Sequence, residues 1–360
     1  MGPTLRRGAF FWHAGRPRLS KRDSVGDMAS DRNDRSLDLT FVAALGASVA
    51  LTVLIAALGP LLASVPHLPD RGASWYFWKL AVPTFWGRLT AWGLYGLHQV
   101  SVWTLLILAR REKVHPRSLS RINIAFLSVN LLFILLHVLQ THIWYDGLAQ
   151  DVPIWSSQYS VIVMLVIMLF MLNPRRGLIL GKKFPYTAAG LQFANRWHAP
   201  YISWALVYTF WFHPAEGSIG LLFGFFYMFL LLTQLSFANT RIHYAMAWVT
   251  ALEFTVGLHG PIIAIQNGYA SWPMFAAGFF FMTAFTQQFG FKLPTWGRAL
   301  VFVLYAAGVA VMYWFRGYQR LYEILFIPAA LYGGAIALAL LLRLVPERKG
   351  RAAPVSRVPI

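Results

Sequence analysis

The sequence predicts an all-α, polytopic transmembrane helical bundle of about ten spans with both termini cytoplasmic. Three observations carry that reading. Long apolar stretches recur along the whole chain at lengths that can cross a bilayer core, which takes about 20 residues. The 360 residues are 58% hydrophobic and only 12% charged, against roughly 25% charged in soluble domains. Loops rich in Lys and Arg alternate with loops almost free of them, as the positive-inside rule requires of a multi-pass chain.

Residues 1–38 are polar and arginine-rich, and read as a disordered basic cytoplasmic extension. The transmembrane domain covers 39–343, and a basic cytoplasmic tail occupies 344–360. Span one, 39–64, has no charge. Residues 66–88, with Trp75-Tyr76-Phe77-Trp78 and Phe85-Trp86, read as an aromatic interfacial helix. Span two, 89–109, runs into the basic loop Arg110, Arg111, Lys113, Arg117 and Arg121. Span three, 122–144, leads to a loop with Asp146 and Asp151 and neither Lys nor Arg. Span four, 155–172, is followed by Arg175, Arg176, Lys182, Lys183 and Arg196.

The second half keeps the rhythm. Span five, 197–212, is short, carries Pro200 near its start and ends at His213-Pro214-Ala215-Glu216-Gly217. Span six, 218–238, ends near Arg241, and span seven, 244–265, at an uncharged turn. Span eight, 272–290, reaches Lys292 and Arg298. Spans nine, 299–315, and ten, 321–342, flank a tight turn with Arg316 and Arg320.

The net charge of +18 lies mostly in the termini and one set of loops. No basic module interrupts the spans, so nucleic acid is not the expected partner. The expected partners are the lipid bilayer and a small-molecule or lipid substrate. Cysteine is absent, which excludes disulfides, thiolate catalysis and Cys-ligated metal. The Ala/Arg/Leu/Gly-rich composition points to a bacterial inner membrane.

An ionisable group inside a bilayer costs at least about 2.5–3.5 kcal/mol, so one found there is a functional candidate. Glu253 is the clearest, in the middle of span seven. Most of the ten histidines lie in or beside spans. Sorting by loop charge puts His142, Asp146, His213, Glu216, His259 and Glu323 at the outer face, with His137 and Glu253 deeper on that side. His198, Arg196, Gln192, Arg241 and His243 fall at the inner face. A lysine-free outer set of acids and bases suits general acid–base work, with Glu253, His259, His213, Glu216 and His142 as catalytic candidates.

Spacing limits the alternatives. Glu253 and His259 lie six residues apart, about 120° around a helix, and nothing matches HExxH, so no metal site is read. His198 with His213, and His243 with His259, are separated by about 22–24 Å along their helices, enough for two stacked haem b groups. The second pair, however, points in different directions on a straight helix.

Four functions stay open: acid–base group transfer on a lipid or envelope substrate at the outer leaflet, proton-coupled transport through Glu253, haem b electron transfer with His198 and His243 among the ligands, and a non-catalytic assembly or signalling role. Ten spans with cytoplasmic termini match the layout of membrane acyltransferases, without that class's early Arg/His motif.

Overall fold

The computed structural model describes residues 21–72, 76–112 and 116–345, with side chains from residue 33 onward. Among these residues there are ten α-helices and no strand. They are α1 (Lys21–Leu58), α2 (Phe85–Ala109), α3 (Arg121–Trp144), α4 (Ile154–Arg176), α5 (Ala188–Phe212), α6 (Ile219–Ser236), α7 (Met246–Gln266), α8 (Trp272–Phe285), α9 (Thr295–Arg316) and α10 (Phe326–Leu341). Among the described residues eight helical segments are long and apolar enough to cross a membrane; α5 and α8 are not among them.

The helices start where local chemistry satisfies their free N–H groups. Thr84 and Thr187 each accept a backbone N–H three residues on, from Gly87 and Gly190. Ser120 and Asn123 form a reciprocal capping box at the start of α3.

Four expectations need correction. Span five is not short: α5 runs 25 residues and carries Pro200 inside it. Proline lacks an N–H, which leaves the Arg196 carbonyl without its helical partner. Arg110 supplies the missing donor at 2.7 Å. The same repair occurs at Pro174, where the Tyr186 hydroxyl donates to the freed Phe170 carbonyl at 2.8 Å.

Span eight is shorter than expected. Helix α8 has 14 residues and gives way to a 3₁₀ turn over Gln287–Gly290. The 177–183 loop ends it there: the Leu180 N–H takes the Phe285 carbonyl, and the Thr286 hydroxyl donates to Leu178.

Residues 66–84 are not an interfacial helix. Where described they are irregular, joined by a single antiparallel bridge between His67 and Leu80, and Pro66, Pro69 and Pro83 deny the segment helical hydrogen bonds. Tyr76 and Trp78 turn inward and are buried, while Trp75 lies outside the described residues.

Finally, α1 begins at Lys21, so residues 21–38 continue the first span as helix rather than forming a disordered arm. Asp34 and Asp38 hold that extension by pairing with Arg241. Residues 1–20, Lys113 and the basic tail beyond 345 lie outside the described residues.

The core gathers on α5 and α6, where Phe210, Trp211, Phe212, Phe229 and Leu232 are fully buried. Helix α6 packs against α1, α3 and α7, and α5 against α2 and α4; α8 and α10 close the far side, with α9 outermost. Loops with few basic residues meet at one end. There Gly59 and Gly217 touch backbone to backbone, and Arg88 pairs with Asp146. At the opposite, arginine-rich end Arg241 reaches Asp34, Asp38 and the Pro116 carbonyl.

A polar seam on α3 ties these elements together. Asn123, Asn130 and His137 repeat every seven residues, which returns each to nearly the same helix face. Asn123 donates to the carbonyls of Ser236 and Ala238 at 2.8 and 3.0 Å. Asn130 donates to the Ser236 hydroxyl at 2.9 Å and accepts from His98 at 3.1 Å. His98 in turn accepts from the Trp211 indole at 3.2 Å, which fixes its tautomer. His137 donates to the His213 carbonyl at 2.9 Å, and the Thr141 hydroxyl accepts the Ala215 N–H at 2.8 Å. Asn130→Leu leaves the buried His98 Nε2–H without an acceptor, and should lower stability by about 1–2 kcal/mol in reversible unfolding. A variant as stable as the parent contradicts the role given to the seam.

Candidate functional site

The outer ends of α4, α5, α6 and α7 surround a cavity of about 280 Å³, capped by Tyr76, Phe77 and Trp78. His213 and His259 both line it. His213 is the residue that ends α5, and its position follows from its neighbours: His137 holds its carbonyl, while Tyr76 and Trp78 pack against its ring at 5.4 and 5.6 Å between centroids. Gly147 lets the α3–α4 connection press against this corner, since a Cβ there would meet the Phe212 carbonyl oxygen at 2.6 Å. His259 stacks on Phe223 at 6.0 Å and lies over Gly224, where a Cβ would meet its ring at 3.0 Å. The Nδ1 atoms of His213 and His259 are both buried and have no hydrogen-bond partner. The two rings lie close enough for His213 to feel the charge of His259.

Glu216 stands beside this pair. It accepts the Trp78 indole N–H at 3.0 Å, which latches the cap to the α5–α6 loop. Gln150 holds the cap's other side, accepting from the Leu80 N–H at 3.1 Å and donating to the Trp78 carbonyl at 3.2 Å.

The remaining candidates lie apart. His142 lines a second cavity of about 320 Å³ with Thr84 and Tyr145; its Nδ1 donates to Val138 and its Nε2 is buried without a partner. Glu253 does not line the histidine cavity. It is held by both terminal nitrogens of Arg176, one bond measuring 2.6 Å, and the two residues are 8% and 3% exposed. Arg176 was expected in a basic loop but is the last residue of α4 and turns into the bundle. Asp146 pairs with Arg88 at 2.5 Å, and Glu323 with Arg316 at 2.9 Å, so these two carboxylates of the outer set also have resident partners.

His198 and His243 are neighbours at the arginine-rich end, close enough for His243 to feel the charge of His198. Each donates Nδ1–H to a carbonyl, Ala194 at 3.1 Å and Gln234 at 2.9 Å, so Nε2 keeps its lone pair. That tautomer is the one a haem or metal ligand uses. Among the described residues no three His, Asp or Glu converge as metal ligands.

Several cavity residues escaped sequence reasoning. Tyr76 and Trp78 lie in a turn closed by the Lys79 N–H on the Tyr76 carbonyl at 3.2 Å, so no strand-like alternation marks them in the sequence. Gln158 on α4 and Tyr227 on α6 carried no signal either, because partners from other helices give them their setting. In comparisons with protein families, curated proteins and solved structures, the chain matches none.

Two outcomes follow. Arg176→Met or Glu253→Leu alone leaves a buried charge unpaired, which should cost about 3–5 kcal/mol, whereas the double variant should recover most of that loss in the same unfolding assay. Burial pushes the His213 imidazole down to about 3, and an unfolded imidazole titrates near 6.5. Between those values only the unfolded chain takes the proton, so this contribution is complete above about pH 6.5 and is lost as pH falls towards 3. The melting temperature should therefore drop less between pH 7 and 4.5 in His213→Gln than in the parent; equal drops contradict it.

Proposed function

We propose that this chain is an integral membrane enzyme that performs acid–base group transfer at the outer leaflet, with His213 and His259 as its proton-handling pair. Eight helices with the length and apolarity to span a bilayer support the membrane setting. On our reading α5 and α8 complete a ten-helix domain, 39–343, within that bilayer. The gathering of Arg110, Arg175 and Arg241 at the end opposite the cavity supports cytoplasmic termini and an outward-facing site. A bacterial inner membrane is the location we assign.

One observation carries the chemistry: two partly exposed imidazoles, His213 and His259, line one apolar cavity. One neutral imidazole can take the proton from an attacking hydroxyl and return that same proton to the leaving group, while its neutral neighbour donates an N–H to the oxygen on which charge gathers. The apolar surroundings strengthen both interactions by excluding water. Glu216 acts through Trp78, holding the cap over His213.

Proton-coupled transport fits less well. Its carrier, Glu253, is engaged by Arg176, and releasing it leaves a guanidinium without a counter-charge in the bundle. Haem b is a second reading, favoured by the carbonyl-pinned Nδ1 atoms of His198 and His243. A Soret band in purified protein that disappears in His243→Ala supports it; protein without that band removes it.

The enzyme reading is tested by comparing lipid and envelope-glycan extracts from cells that express the parent, His213→Gln or His259→Gln. A modified species should accumulate with the parent and fall by about 10²-fold or more in either folded variant. Parent-like accumulation in both variants contradicts it.

A further inference from the structure

The cavity's shape and the placement of its polar groups go further than the reaction class. Its lining runs from Ile154 to Met164 along α4 and from Leu221 to Leu231 along α6, about 15 Å in each case. Polar side chains concentrate at the capped end, with His213, Asn267 and Tyr269. The deep end is Met164, Leu206, Leu231 and Val256. Tyr227 is the exception at depth, and its hydroxyl is near enough to Glu253 to feel that charge.

The cavity is therefore polar at one end and apolar for most of its length. At about 280 Å³ it falls just below the usual range of ligand cavities, roughly 300–1,000 Å³. That space suits one hydrocarbon chain better than the two of a phospholipid. No Lys, Arg, Asp or Glu lines it among the described residues. A phosphate or carboxylate head would be desolvated there with no cation to meet it, at a cost that burial of its tail does not offset. A neutral hydroxyl meets no such penalty, and the partly exposed His213 and His259 rings that line the cavity offer it hydrogen bonds.

We infer that the cavity binds an uncharged, single-chain amphiphile, of long-chain alcohol type, with its hydroxyl between His213 and His259 and its tail directed towards Met164 and Leu231. This assignment deepens the acid–base reading, and rests on it only for the part the hydroxyl then plays in catalysis.

The test uses the full-length protein in lipid nanodiscs and a 1-dodecanol carrying a photoreactive diazirine at its tail end, with labelled peptides mapped by mass spectrometry. Labelling should fall on the segments around Met164, Leu231 and Val256. Unlabelled 1-dodecanol should compete at least tenfold better than dodecyl phosphate. Met164→Trp, which fills the deep end, should cut labelling at least tenfold while the competition order on the parent gives the same answer without any variant. Labelling spread over the lipid-facing helices, or equal competition by the phosphate, overturns the inference. If labelling maps to the cavity but histidine variants leave cell extracts unchanged, the catalytic reading fails and the binding assignment stands. If the variants abolish product while labelling misses the cavity, only the binding assignment fails.

Discussion

The polar face of α3 is the constraint on which the rest of the structure depends. A bilayer supplies no water to satisfy a stray N–H or C=O, so a hydrogen bond from a protein partner is worth most there. Asn123, Asn130, His137 and Thr141 supply such bonds together, each reaching across to α6 or to the end of α5. The consequence reaches the cavity. His137 and Thr141 hold the backbone of His213 and Ala215, and so decide where α5 stops and where the His213 ring begins. The same economy explains the prolines, since Pro174 and Pro200 are tolerated where Tyr186 and Arg110 take up the carbonyls they release.

Two kinds of buried ionisable group emerge, and burial alone does not distinguish them. Glu253 is buried with its partner and is fully engaged by Arg176, which makes it part of the frame between α4 and α7. His213 and His259 line a space that can hold another molecule. A group facing a cavity is a better candidate for chemistry than one whose bonding capacity is spent. On that criterion the weight moves from Glu253 to the histidine pair.

The architecture was largely legible in the amino-acid order. Apolar length and the alternation of basic loops gave the helices, their order and which loops share an end. Pairing across the bundle was not legible. Arg175 and Arg176 are adjacent in the chain, yet one bonds the Tyr244 carbonyl and the other enters the core for Glu253. Residues 66–84 offered aromatic composition suited to an interface, but their prolines and the Trp78–Glu216 bond fold them over the cavity instead. Sorting histidines by side did bring His213 and His259 together, because their helices α5 and α7 run in the same direction. It could not separate His142, which faces the second cavity.

The claim that His213 and His259 act together on one molecule is tested most directly by a double-mutant cycle on the accumulated product. Residues that serve one reaction centre lose activity non-additively, so the His213→Gln/His259→Gln double variant should be no more than a few-fold worse than the poorer single variant. Losses that multiply, as for two independent sites, contradict the account.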